Sequence, residues 1–160
     1  MRHPTTPRGI RNYNPGNIER NGTRWQGMSP DQSGDPRFVV FTSPVWGIRA
    51  IARTLVTYQD QRRAADGSAI DSVRELIGRW APAHENDTGA YAAAVASALG
   101  VGVDDECVDV CDYATMRALV LAIVRHENGE GPLPGGLWYG DPLIAEGLSL
   151  AGIVSGVRHG

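Results

Sequence analysis

Five stretches of this chain place apolar residues at helical spacing between a recognisable start signal and a stop, and that punctuation limits the fold more than any other feature. In "SPVWGIRAIARTLVTYQ", Ser43 stands where an N-cap belongs and Pro44 at the first helical position, while Ile48, Ile51, Ala52, Leu55 and Tyr58 recur on one face. "SAIDSVRELIGRW" offers Ser68 and Asp71 as a capping pair ahead of Val73, Leu76, Ile77 and Trp80, with Pro82 as the stop. A third stripe runs through Tyr91, Val95 and Leu99 between Asp87, a candidate N-cap, and Gly100. Asp112 opens a fourth helix that Gly129 closes, and Asp141 with Pro142 opens a fifth in "DPLIAEGLSLAGI". The acidic stretch "VGVDDECVDVCD" reads as a solvated connector. Ahead of the helices, the segment to Asp35 is rich in Asn, Gly, Pro and Arg and leads into the β-branched and aromatic run "RFVVF". The pattern predicts a mainly α single domain over residues 1–160, with five helices, a small β hairpin lobe near the N-terminus and a flexible tail over residues 1–8.

At 160 residues and 42% hydrophobic, the chain suits one well-packed core rather than two. A net charge of −3 and a pI near 5.8 supply no basic field for a phosphate backbone, so nucleic acid is not the expected partner. No apolar run is long enough to span a bilayer, and "MRHPTTPRGI" lacks a secretory apolar core, so membrane insertion and a classical signal peptide are not expected. Cys107 and Cys111 are too few for a disulfide framework and lack the histidines of a zinc pattern; two free thiols are expected. "HEND", with His84, Glu85 and Asp87, matches no zinc spacing and reads as a helix entry, so no metal or cofactor is implied.

One residue breaks the apolar logic. Met116, Val120, Ile123 and Glu127 are spaced by four, three and four residues, which sets a carboxylate on the apolar stripe one turn beyond its last hydrophobic member. Partial desolvation there would favour the protonated form and suit a general acid. A helix-terminal Glu that simply faces water, or pairs with Arg125 or His126, satisfies the same spacing. His126 itself cannot share the face of Glu127 and is expected to be exposed. A second concentration of polar chemistry is "RNYNPGNIERNGTRWQG", where Asn12, Asn14, Asn17 and Asn21 accompany Tyr13 and Trp25. Amide donors and acceptors beside aromatic faces suit a ligand with hydroxyls, amides and apolar ring faces, such as an N-acetylated sugar; a turn-rich loop explains the same composition. Trp46 and Trp80 read as core, and "GEGPLPGG" as a flexible connector beside the end of the Glu127 helix.

"RALVLAIVRHENG" resembles the helix that ends in the catalytic glutamate of lysozyme-like peptidoglycan glycosidases. "NPGNIERNGTRWQG" with "FVVFTSPVWGIRAIARTLVTY", and "ENDTGAYAAAVASALGV" later on, are similar to stretches of flagellar-type glucosaminidases, in circularly permuted order, which a domain with neighbouring termini tolerates. From Gly9 to Ile153 the chain also resembles small phage and prophage proteins described as lysozyme-like or as virion components.

That resemblance implies a lysozyme-like fold and cleavage of the glycan strand of bacterial peptidoglycan by a monomer, with Glu127 as general acid. It implies Asn14, Asn17 and Trp25 as groove residues, with Tyr91 supporting the transition state or the glutamate. A second carboxylate has no matching motif; Asp31 and Asp35 are candidates, and Asp87 is a third, placed with the binding residues. Without one, a lytic transglycosylase route with a single Glu gains weight over hydrolysis. Delivery would be either from the host cytoplasm through a holin or with the virion. A catalytically silent virion or wall-binding protein that keeps the cleft is the alternative. A peptidase or amidase would need a nucleophile or metal set that the chain does not display.

Overall fold

The computed structural model describes residues 6–64, 66–81 and 87–155. The described chain is mainly helical: α1 (Arg8–Arg11), α2 (Pro44–Gln61), α3 (Val73–Trp80), α4 (Thr88–Leu99), α5 (Tyr113–Asn128) and α6 (Asp141–Leu150), with a 3-10 turn at Pro134–Gly136. The five punctuated stretches became α2 to α6. The four-residue α1 was not expected, because one turn has no periodicity to read.

The stop and start signals worked through specific bonds. Asp87 and Asp112 accept from the backbone N–H groups of Ala90 and Thr115, and Gly100 closes α4 in the left-handed conformation. Two expectations need correction. The cap of α3 is Ser72, not Ser68: its side chain accepts from the Glu75 N–H while Glu75 accepts from the Ser72 N–H, a reciprocal box that the Ser68–Asp71 pair cannot form. Ser43 stands at the N-cap of α2 but makes no side-chain capping bond; Pro44 suffices to set the first turn.

The main core gathers one face of each long helix. α2 contributes Ile48, Ile51, Ala52 and Leu55, α3 contributes Leu76 and Ile77, α4 contributes Tyr91 and Val95, and α5 contributes Met116, Leu119, Val120 and Ile123; Ile144 and Leu148 of α6 complete it. The acidic connector is only partly solvated. Val108 and Val110 are buried, and the Gln59 side chain of α2 bonds three backbone groups, accepting from Val110 N–H and donating to the carbonyls of Ile70 and Val108. Cys107 and Cys111 are free thiols.

The N-terminal lobe differs from the expected hairpin. Among the described residues it holds only isolated antiparallel bridges, Glu19 with Phe38 and Met28 with Phe41. Side chains take over where a ladder would supply bonds. Gln32 donates to the carbonyls of Ser29 and Val40 and accepts from Val40 N–H, and Arg20 donates to the carbonyls of Gln32, Asp35 and Phe38. A small second core, Val39, Phe41 and Ala50 with Trp25, Met28 and Trp46, fastens this lobe to α2. The tail predicted over residues 1–8 ends sooner: Arg8 begins α1 and its guanidinium grips Asp35 at 2.5 and 2.6 Å. Residues 1–5 lie outside the described part.

Candidate active site

Between the lobe and the helices lies a cleft of about 710 Å³, lined by Asn17, Glu19, Asn21 and Arg37 and by the aromatic residues Trp25, Phe38, Tyr58 and Trp80, with Glu127 in its wall. The apolar stripe of α5 explains where Glu127 sits. Met116, Val120 and Ile123 are fully buried, so one turn later the same face emerges from the core into the cleft, and Glu127 is half-buried there.

Both carboxylate oxygens of Glu127 are held. Oε1 accepts from Asn17 Nδ2 at 3.0 Å, and Oε2 accepts from the Tyr91 hydroxyl at 2.9 Å. Tyr91 arrives from α4, fully buried, with its ring stacked on His126 at 3.7 Å. Burial, reinforced by the charge of Glu127, pushes the Tyr91 phenol far above its ordinary range, so it remains a proton-bearing donor. His126 is exposed as expected, and its contact is with the Tyr91 ring.

Asn17 reaches the site through a loop pressed onto α2. Its backbone φ of 50° is left-handed, a conformation that Asn tolerates better than most residues. Gly47 permits the approach, since a Cβ there would sit 2.3 Å from the Tyr13 carbonyl oxygen. Asn128, next to Glu127, ties the same loop down by donating to the Pro15 carbonyl at 2.8 Å. Beneath them is Gly9 of α1, where a Cβ would lie 2.7 Å from Asn128 Oδ1 and 2.8 Å from Asn17 Oδ1. Gly9 and Asn128 carry no chemistry of their own, and no sequence signal distinguished them from an ordinary helix glycine and an ordinary helix-end Asn.

Of the residues singled out in the sequence, Glu127, Asn17, Trp25 and Tyr91 come together. The others do not. Asn14 is fully buried and spends its amide on Ile18 and the Val39 carbonyl, so it shapes the lobe. Asp35 is buried beneath Arg8, accepting also from Asn12 and from the N–H groups of Arg37 and Phe38. These donors hold its carboxyl far below the usual range, with the Arg8 bond as the largest cause. Asp31 is exposed and closes a turn with Ser33. Asp87 is the exposed cap of α4. None of these four lines the cleft.

Among the described residues, the carboxylate that does join Glu127 in the lining is Glu19, ion-paired with Arg37. Trp80, expected as core, packs on the core and also lines the cleft; Trp46 stays in the small core. Gly136, at the end of the Gly129–Gly136 connector, lines a separate groove of about 260 Å³ with Leu121 and Trp138. His84 and Glu85 lie outside the described residues. Among the described residues no group of three or more His, Cys, Asp or Glu could hold a metal ion, and no helix is long and apolar enough to cross a membrane.

Fold and site define a mainly helical domain with a glutamate presented to an aromatic-lined cleft. No protein-family model matches the chain. It is 38% identical over 128 residues to Protein P5 of Pseudoalteromonas phage PM2, covering 78% of this chain and 73% of that protein, and it belongs to the family of that phage protein.

Proposed function

We propose that the protein cleaves the glycan strand of bacterial peptidoglycan in phage-type wall lysis, with a lysozyme-like arrangement in which Glu127 is the general acid. The observation that supports this most is the seating of Glu127: it ends an apolar helix, faces a cleft of sugar-binding proportions, and has each oxygen fixed by a neutral donor. Protonated Glu127 would give its proton to the glycosidic oxygen as the bond to the anomeric carbon breaks. Its carboxylate would then take the proton of the hydroxyl that attacks that carbon. Asn17 and Tyr91 would hold the carboxylate in line through both steps, and Trp25 and Trp80 offer faces for sugar rings.

A two-carboxylate hydrolase needs a partner for Glu127. Among the described cleft residues the other carboxylate is Glu19, already engaged by Arg37, and Asp31 and Asp35 lie elsewhere. This favours the route in which the sugar's own 6-hydroxyl attacks, closing an anhydro ring without water. Mass spectrometry of purified peptidoglycan digested by the protein tests it. Anhydro-muramic ends are expected; reducing ends would replace ring closure by hydrolysis, and no products would remove the enzymatic reading.

A catalytically silent virion or wall-binding protein is the second reading. It is favoured by the structural employment of Asn14, Asp31, Asp35 and Asp87, and it predicts wall binding without products.

A further inference from the structure

Tyr58 and Trp80 connect the cleft to an arginine-bearing segment that does not itself line it. Tyr58 of α2 lines the cleft, and its hydroxyl donates to the carbonyl of Arg79 at 3.3 Å, one residue before Trp80, which also lines it. The Arg79 guanidinium in turn donates to the carbonyl of Arg63 at 2.6 Å, drawing the end of α3 against the residues that follow α2. Arg62, Arg63 and Arg79 are all exposed. The cations stand close enough to act on Tyr58: burial pushes its phenol up, while the charges of Arg79 and Arg62 pull it down.

Five arginines pair with carboxylates: Arg8 with Asp35, Arg37 with Glu19, Arg74 with Asp104, Arg117 with Asp141 and Arg125 with Glu130. Arg62, Arg63 and Arg79 are among the described arginines without such a partner, Arg62 and Arg79 donating to backbone carbonyls instead, in a chain with 18 Asp and Glu against 15 basic residues. All of those basic residues are arginine. The guanidinium fork pairs with a carboxylate through two parallel bonds, which a lysine ammonium does not do. Arg62 caps the C-terminal end of α2 and Arg79 lies in the last turn of α3, positions that favour cations.

We propose that Arg62, Arg63 and Arg79 form a carboxylate-binding subsite at the Tyr58 end of the cleft, and that it engages the acidic peptide stems borne by the glycan strand. The proposal rests on the cell-wall reading above and narrows its substrate to peptide-bearing strands. It also gives an acidic protein a local means of holding an anionic polymer, and the hold should weaken as salt screens it.

The test compares glycan strands that carry their stem peptides with the same strands stripped by an amidase. Binding is measured on the full chain with Glu127→Gln, so that turnover does not intervene, and cleavage on the parent. Peptide-bearing strands should bind about tenfold more tightly, as expected for paired charge-assisted bonds of partial exposure. Arg62→Gln with Arg79→Gln should reduce that ratio to near one, with the circular dichroism spectrum and melting temperature retained. Equal binding of the two strands, or a ratio that survives the double substitution in a folded protein, overturns the subsite. Equal cleavage of both strands overturns it too while leaving catalysis intact. Selective binding without any cleavage by the parent leaves the subsite standing and overturns the catalytic reading.

Discussion

The N-terminal lobe and the helical body are held together by different physics. In the body, apolar side chains at helical spacing bury against one another, and backbone groups are satisfied within each helix. In the lobe, only a few apolar residues are buried, and Asn14, Gln32, Arg20 and Asp35 do the bonding that a regular ladder would otherwise do. The body therefore depends on area removed from water, a term that tolerates conservative exchange. The lobe depends on donors and acceptors in specific places, a term that does not. The candidate site lies at the seam, taking Glu127 and Tyr91 from the body and Asn17 and Trp25 from the lobe.

Removing packing from the body is the severest test of this contrast. Leu55→Ala, at a fully buried position in α2, should cost about 2–5 kcal/mol and lower the urea midpoint of the whole domain. A loss confined to the lobe signals would mean that the body is not one cooperative core. Asp35→Asn should cost less, about 2–3 kcal/mol, because it weakens a buried acceptor of Arg8 while the helices keep their own contacts. Its mark should be a change in the tryptophan environment of the lobe with the helical circular dichroism retained.

The same residue sets a pH dependence. Because the folded carboxyl of Asp35 is held below its ordinary value, the unfolded chain binds the proton first as pH falls. Its stabilisation is complete above the unfolded value of about 4 and declines below it. The gap in urea midpoint between parent and Asp35→Asn should accordingly be wide at neutral pH and narrow toward pH 3. A gap that is constant with pH would mean that the Arg8 bond contributes nothing.

The smallest change in mass should act at the seam. A methyl group at Gly9 has no room beside Asn17 and Asn128, so Gly9→Ala should move the Asn17 amide off Glu127. Misplacing a positioning group of this kind should lower kcat by about tenfold or more, with KM moving less. An equal fall in binding of a catalytically silenced form would instead make Gly9 a determinant of cleft shape.

What could be read from the sequence follows the same division. Periodicity found α2 to α6, and the emergence of Glu127 from the Met116–Val120–Ile123 stripe needed nothing more than a 3.6-residue repeat. The lobe has no such repeat. Asn14 and Asn17, three residues apart in one loop, are indistinguishable by composition, yet one is sealed against Val39 and the other reaches across 110 residues to Glu127. Asp35 looked like a catalytic partner because a sequence does not record that Arg8 will fold back over it. Tyr91 fitted a core stripe and is both buried in the core and bonded to Glu127, since a phenol can bury its ring and still donate from its tip.

The central claim is that Glu127 transfers the proton, and it is tested most directly by the rate at which Glu127→Gln cleaves purified peptidoglycan beside the parent. Glutamine can keep both neighbours, accepting from Asn17 and donating to the Tyr91 oxygen, so the site should stay assembled while the acid is lost. A fall of at least about 100-fold is expected, with the melting temperature nearly unchanged. Parent-like cleavage by a folded Glu127→Gln would contradict it and return the helix-end glutamate to a polar residue at the rim of the core.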